Sequence, residues 1–181
     1  EQPIQGSEQM DVERGVERAY LTDMGRFFAL FQDNRLALDI FTVVEDVRLD
    51  SRVVYEYRGI APAYYETQQM SLLERPDMTD LPARQVLVEF IVRLSLRQDK
   101  HLRVPKDHAE DARKIARVVR RVMAPRATVE DSAEATIRIY ALIYKIQNEE
   151  LGPDDFEDLE LEEESKSDAL EESREEFEEF E

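Results

Sequence analysis

Residues 34–57 read NRLALDIFTVVEDVRLDSRVVYEY and contain neither glycine nor proline. Leu36, Ile40, Val43, Val44, Val47 and Val54 recur at the three-and-four spacing of one helix face. A second stripe, Leu38, Phe41, Leu49, Val53 and Tyr57, runs beside the first. A helix apolar over so wide an arc is expected at the centre of a helical assembly. Asp33-Asn34 supplies its cap, and Gly59 is a plausible stop.

The flanking text repeats this grammar. Upstream, Met10, Gly15, Tyr20, Met24, Phe27, Phe28 and Phe31 mark a helix with an aromatic end over 8–31. Downstream, Pro62 suits the first turn of a short helix running through Leu73. Asp80-Leu81-Pro82 opens the next, with Val86, Leu87, Phe90, Ile91 and Leu94 on one side and Val88, Val92 and Leu96 on the other. About sixteen residues without a breaker favour a buried helix there over a strand. Pro105 opens another helix, with Ala112, Ile115, Ala116, Val119, Val122 and Met123 facing inward, and Pro125 ends it. Thr128, with Asp131 three residues on, caps the last, whose inner face reads Ala133, Ile137, Tyr140, Ile143 and Tyr144. The expected fold is an all-α bundle of about six helices with no strand, followed by an acidic tail.

Charge divides the chain. Of 42 Asp and Glu in 181 residues, 18 fall in residues 149–181, where Lys166 and Arg174 are the only bases, so that segment carries net −16 of the total −18. Gly152-Pro153 marks the change, which predicts a helical domain over 1–150 and an acidic low-complexity tail or linker over 151–181. In the tail Phe156, Leu159, Leu161, Leu170, Phe177 and Phe180 stand too far apart to build a core, and like charges at helical spacing repel. Residues 153–181 are therefore expected to be disordered or a marginal solvated helix, dispensable for the fold. There is no cysteine, hence no disulfide and no thiol nucleophile. No apolar run approaches the roughly 20 residues of a membrane span, and the first residues lack a signal-peptide pattern, so the expected location is cytoplasmic, away from membranes. The first residue is not Met, which fits a piece of a longer protein.

Candidate chemistry is sparse. His101 and His108, the only histidines, flank Pro105 with Arg103 and Lys106 nearby, a poor setting for a cation. No glycine-rich phosphate loop, nucleophile elbow or zinc-protease motif occurs. No catalytic residue, metal ligand or cofactor is assigned, and an enzyme is not expected. Two charged groups stand out instead. In the central helix Glu45 lies one turn from both Phe41 and Leu49, with Asp46 beside it and Arg48 and Arg52 along the same side. One reading is a satisfied Glu45–Arg48 pair that locks the helix to a neighbour; the other is a carboxylate/guanidinium patch that docks a partner. Residues 93–126 carry 11 Lys and Arg against four acids, net +7, with Arg113, Arg117, Arg120 and Arg121 on the outer face of the helix expected over 106–123. Such a face can grip phosphates, yet no aromatic residue interleaves with it. A solvated basic face, covered by the acidic tail, is the preferred reading, and nucleic acid is the alternative partner.

Three stretches carry a family resemblance. They are Ile40–Asp50 (IFTVVEDVRLD) with Tyr57-Arg58-Gly59; the 75–96 segment with Arg75-Pro76-Asp77-Met78 and Leu81-Pro82-Ala83-Arg84; and Thr128–Tyr140 (TVEDSAEATIRIY). Together they resemble the helical region preceding the von Willebrand factor A domain in bacterial proteins such as nitric oxide reductase activation proteins, the Rubisco-activase adaptor and the large cobaltochelatase subunit. The resemblance implies a non-catalytic protein-interaction module of an adaptor. Its partner would be a MoxR-type AAA+ ATPase, or the target enzyme that this ATPase activates or loads with metal. It also implies an acidic linker leading to an A domain. The Asp-x-Ser-x-Ser metal site of such a domain is absent from residues 1–181, and the resemblance places it further along a longer chain.

Overall fold

The computed structural model describes residues 22–96, 102–159 and 161. Six α-helices and one two-stranded ribbon follow in chain order: α1 (Asp23–Phe28), α2 (Asn34–Glu56), α3 (Ala61–Leu73), α4 (Ala83–Ser95), β1 (Leu102–Pro105), α5 (Ala109–Val122), α6 (Val129–Ile143) and β2 (Phe156–Leu159). Most of the helix expected over 8–31 falls outside the described residues, and its aromatic end is α1.

The caps follow the sequence. Asp33 Oδ1 accepts from Leu36 N at 2.9 Å, which fixes the start of α2. Thr128 and Asp131 form a reciprocal capping box on α6, with Thr128 N donating to Asp131 Oδ2 at 2.6 Å. The N-terminus of α4 borrows its acceptors from far along the chain. Ala83 N donates to Glu149 O at 2.9 Å and Arg84 N to Asn148 Oδ1 at 3.1 Å. Gly59 does not end α2; the helix stops at Glu56, and Gly59 lies within a 3₁₀ turn over Arg58–Ile60.

Helices α2, α4, α5 and α6 pack on one another around Ile40, Val44, Leu87, Phe90, Ile115, Val119, Ile139 and Ile143, all fully buried. The inner faces read for α4 and α5 coincide with the buried residues, except that Met123 is only half-buried. Near the start of α2, Phe27, Phe28, Phe31, Phe41 and Tyr140 form an edge-to-face chain, with centroids 4.7 Å apart for Phe31 and Tyr140.

Five further expectations are corrected. Residues 102–105 are a strand, which pairs antiparallel with β2 in the register Leu102 to Leu159 and Pro105 to Phe156. Pro105 therefore closes a strand, and the basic helix starts after a further 3₁₀ turn, at Ala109 rather than 106. The ribbon also moves the domain boundary. Phe156 and Leu159 are buried and Leu151 and Leu161 pack against the core, so the packed body runs past Gly152 to Leu159. Two apolar residues at i and i+3, in a strand laid along an existing apolar surface, need no core of their own. On α6 the buried face is Ser132, Ala135, Thr136, Ile139 and Ile143, while Ile137 is 50% exposed. Ser132 and Thr136 are fully buried, and the Thr136 hydroxyl donates to Ser132 O at 2.7 Å, so the buried face contains hydroxyls that hydrophobic spacing does not reveal. Finally, the second stripe of α2 is not central, since Leu38, Leu49 and Tyr57 are exposed.

Candidate functional site

The central-helix group is split by the fold. Arg48 is buried and holds Glu45 with two bonds, Nε to Oε2 at 2.9 Å and Nη2 to Oε1 at 2.6 Å. Its Nη1 donates to Ala127 O at 3.2 Å in the α5–α6 turn. The bond from Arg48 lowers the Glu45 carboxyl from its ordinary range against the opposing effect of burial. The buried Ser132 hydroxyl, though it makes no regular hydrogen bond, lies close enough to lower it further. Arg48 is in turn raised, first by Glu45, with Asp131 and Glu130 of α6 adding to the effect. The pair therefore joins α2 to the start of α6. Arg52 sits elsewhere, exposed and paired with Glu56 at 2.8 Å.

Asp46 faces the opposite neighbour. Its surface is exposed, yet the carboxyl is raised by partial desolvation and by the nearby Asp50 and Glu45 carboxylates. Asp50 takes the bonds that fix α3: the Tyr64 hydroxyl donates to Oδ1, and Gln68 Nε2 donates to Oδ2 at 3.2 Å. Gln69 Nε2 adds a bond to Leu96 O at 3.3 Å. Gln68 is the one buried residue of α3. Met70 and Leu73 of the same helix are 69% and 86% exposed, and Tyr55, Tyr57 and Ile60 are exposed at the corner leading into it. This helix is thus clamped to the body by amide and hydroxyl contacts, with Leu72 half-buried and Met70 and Leu73 outside.

The basic face of α5 is only partly as read. Arg113, Arg117 and Arg121 are exposed and Arg120 is half-buried. Acids accompany them: Arg113 lies 3.7 Å from Glu110, and Lys114 lies 4.0 Å from Asp111, which Lys145 also approaches at 3.8 Å. Arg121 lines a shallow cavity of about 210 Å³ with Asp131, Glu134 and Arg138 of α6. The two predicted groups thus flank the first turn of α6 from different sides, Arg48 from within and Arg121 from without, and they do not merge into one patch. Of the histidines, His101 lies outside the described residues, and half-buried His108 stands at the N-terminus of α5. Among the described residues no group of three His, Asp or Glu converges as a cation site, and no helix is long and apolar enough to cross a membrane.

A third charged group went unread in the sequence. Glu89, only 3% exposed, accepts from Arg75 through Nε, at 3.0 Å to Oε1, and through Nη2, and from Arg93 Nε at 3.0 Å. Arg93 Nη2 continues to Pro76 O at 2.7 Å. The signal was available: Glu89 stands between Val86 and Phe90 on the apolar face of α4, with Arg93 at i+4. A carboxylate in that place needs a cation, and the second one comes from Arg75 of a distant loop.

The chain matches no protein-family model, no curated protein and no solved structure.

Proposed function

We propose that the chain is a non-catalytic protein-binding module, and that α3 with the corner before it is its docking element. One observation carries this reading. Helix α3 buries no large apolar side chain, is fixed by Tyr64, Gln68 and Gln69, and presents Met70 and Leu73 outward, next to Tyr55, Tyr57 and Ile60. Exposed Tyr, Met and Leu side chains on a fixed helix supply apolar contact area at low ordering cost, as protein interfaces use it. The resemblance of Ile40–Asp50, 75–96 and Thr128–Tyr140 supports a MoxR-type AAA+ ATPase, or the enzyme it activates, as the partner.

The experiment is titration of the labelled chain with a MoxR-type ATPase from the same organism, in its ATP and ADP states. Binding should weaken about tenfold or more in Met70→Glu and in Tyr57→Glu, with melting temperatures unchanged. No association in either nucleotide state would remove the ATPase from the proposal. Association that both variants leave intact would remove α3.

A further inference from the structure

Between the C-terminal end of α3, the 75–79 segment and the ribbon lies a cleft of about 420 Å³. Leu72, Met78, Leu102 and Phe156 give it an apolar lining, and Leu73 stands at its rim. Its charged wall is Arg75, Arg93 and Arg103. Two of these guanidiniums share the single carboxylate of Glu89, so that cluster keeps one positive charge. Arg103 lies over the Phe156 ring at 5.5 Å and donates to Pro153 O at 3.4 Å. Each guanidinium has five N–H donors, more than these contacts use. Asp77, the acid of the cleft, accepts from Thr79 N at 2.9 Å and Thr79 Oγ1 at 2.8 Å, and its carboxyl is lowered first by these bonds and then by Arg93 and Arg103. It offsets one positive charge, and the cleft keeps a net charge of +1.

The chain leaves β2 at this place. Leu159 lies opposite Leu102, which lines the cleft, and antiparallel partners are about 5 Å apart. The twenty residues that follow Leu161 contain eleven acids against Lys166 and Arg174, net −9, with Leu170, Phe177 and Phe180 spaced among them. An acidic segment with isolated bulky apolar residues complements an apolar cleft walled by arginines. At about 3.3–3.6 Å per extended residue its reach is ample, and a short tether gives effective concentrations of about millimolar.

We infer that residues 162–181 dock in this cleft in cis, apolar side chains against Leu72, Leu73 and Met78 and flanking glutamates toward Arg75, Arg93 and Arg103. This differs from the resting place that charge alone suggests, the outer face of α5. That helix begins beyond Pro105, the opposite end of the ribbon from Leu159, and its outer face offers no apolar lining like that of the cleft. The inference stands whichever protein binds α3.

The chain has no cysteine, so Ser173→Cys takes a single spin label in the otherwise intact protein. At 0.05 M salt the label should broaden the amide signals of Leu73, Met78 and Thr79 and leave those of Arg113 and Arg117 sharp. The broadening should largely vanish at 0.5 M salt, where screening shortens electrostatic reach to about 3–10 Å. It should also diminish in Arg103→Gln, and in the Phe177→Ser, Phe180→Ser double variant, which removes the apolar side chains of the segment itself. Broadening centred on Arg113–Arg121, or confined to residues adjoining Leu161, would overturn the inference. So would equal broadening in a mixture of spin-labelled and isotope-labelled chains, which would make the occupant a second copy.

Discussion

Arg48 reaches back one turn along α2 to hold both carboxylate oxygens of Glu45, and its remaining Nη1 crosses to the carbonyl of Ala127. The side chains are 9% and 20% exposed, so the pair is a fastening between helices rather than a surface ornament.

Glu45→Ala should therefore cost about 1–3 kcal/mol, because it leaves a buried guanidinium with one carbonyl partner. Glu45→Gln, which can still accept a hydrogen bond, should cost less. Urea midpoints measure both. The pH dependence follows from the lowered Glu45 carboxyl: its stabilisation is present above the ordinary 4.5 and fades as pH falls through the lower folded value. Wild type and Glu45→Gln should converge in stability below that range. Equal midpoints at pH 7 would show that the fastening contributes nothing.

At 0.5 M salt, where the docked segment is released, a chain ended at Leu161 should melt like the full protein, whereas one ended at Gly152 should not. The shorter form lacks Phe156 and Leu159, 5% and 1% exposed, and uncovers Leu102 and Val104. At about 1.5–3 kcal/mol per buried large side chain, the loss is roughly 3–6 kcal/mol. Calorimetry of the two truncations decides it; identical melting curves would mean that the ribbon adds no stability.

Alkali should loosen the seat of α3. Burial, then the bond to Asp50, pushes the Tyr64 hydroxyl up to about 12 from its ordinary 10. A group bound more tightly to its proton in the folded state stabilises the fold fully below pH 10 and ceases to do so as pH rises through 12. Stability should decline over that window, and Tyr64→Phe should flatten the decline. A spectrophotometric titration should show one phenol ionising late. Ionisation of all the tyrosines near pH 10 would contradict this.

Duplex DNA or RNA should not bind at 0.15 M salt, either to the full chain or to a chain ended at Leu161. Acids interrupt the basic face of α5, and no aromatic side chain lies on it. Anisotropy of a labelled duplex across a salt series is the measurement. Sub-micromolar binding with a steep salt slope would restore the nucleic-acid reading.

Helices α4 and α5 were legible because aliphatic residues, large on α4 and alternating with alanine on α5, recur along their inner faces, so spacing and burial coincide. On α6 the coincidence fails, since Ser132, Ala135 and Thr136 are buried for being small, and hydropathy favours Ile137 and Tyr140 instead. The second stripe of α2 misled in the opposite direction: Leu38, Leu49 and Tyr57 are apolar but uncovered, a surface that sequence reads as core. The Glu45–Arg48 pair was legible from its local spacing, though not its third contact at Ala127. The ribbon was hidden by composition, because Phe156 and Leu159 stand in an acidic run and their partners lie some fifty residues earlier. Arg75 was hidden as a partner of Glu89 for a different reason: it stands 14 residues earlier, beyond the end of α3 and outside the helical spacing of α4.

That long-range strand pairing sets an order of events during synthesis. Leu102 emerges 57 residues ahead of its partner Leu159, and Pro105 emerges 51 residues ahead of Phe156. At roughly 5–20 residues per second, a growing chain waits about 3–11 s between making one strand and making its cover. During that interval a pair of otherwise buried side chains, Leu102 and Val104, is presented on a nascent polypeptide while helices α5 and α6 are being made. Newly made copies on one messenger are vulnerable to each other there, so codon speed between residues 106 and 159 bears directly on yield.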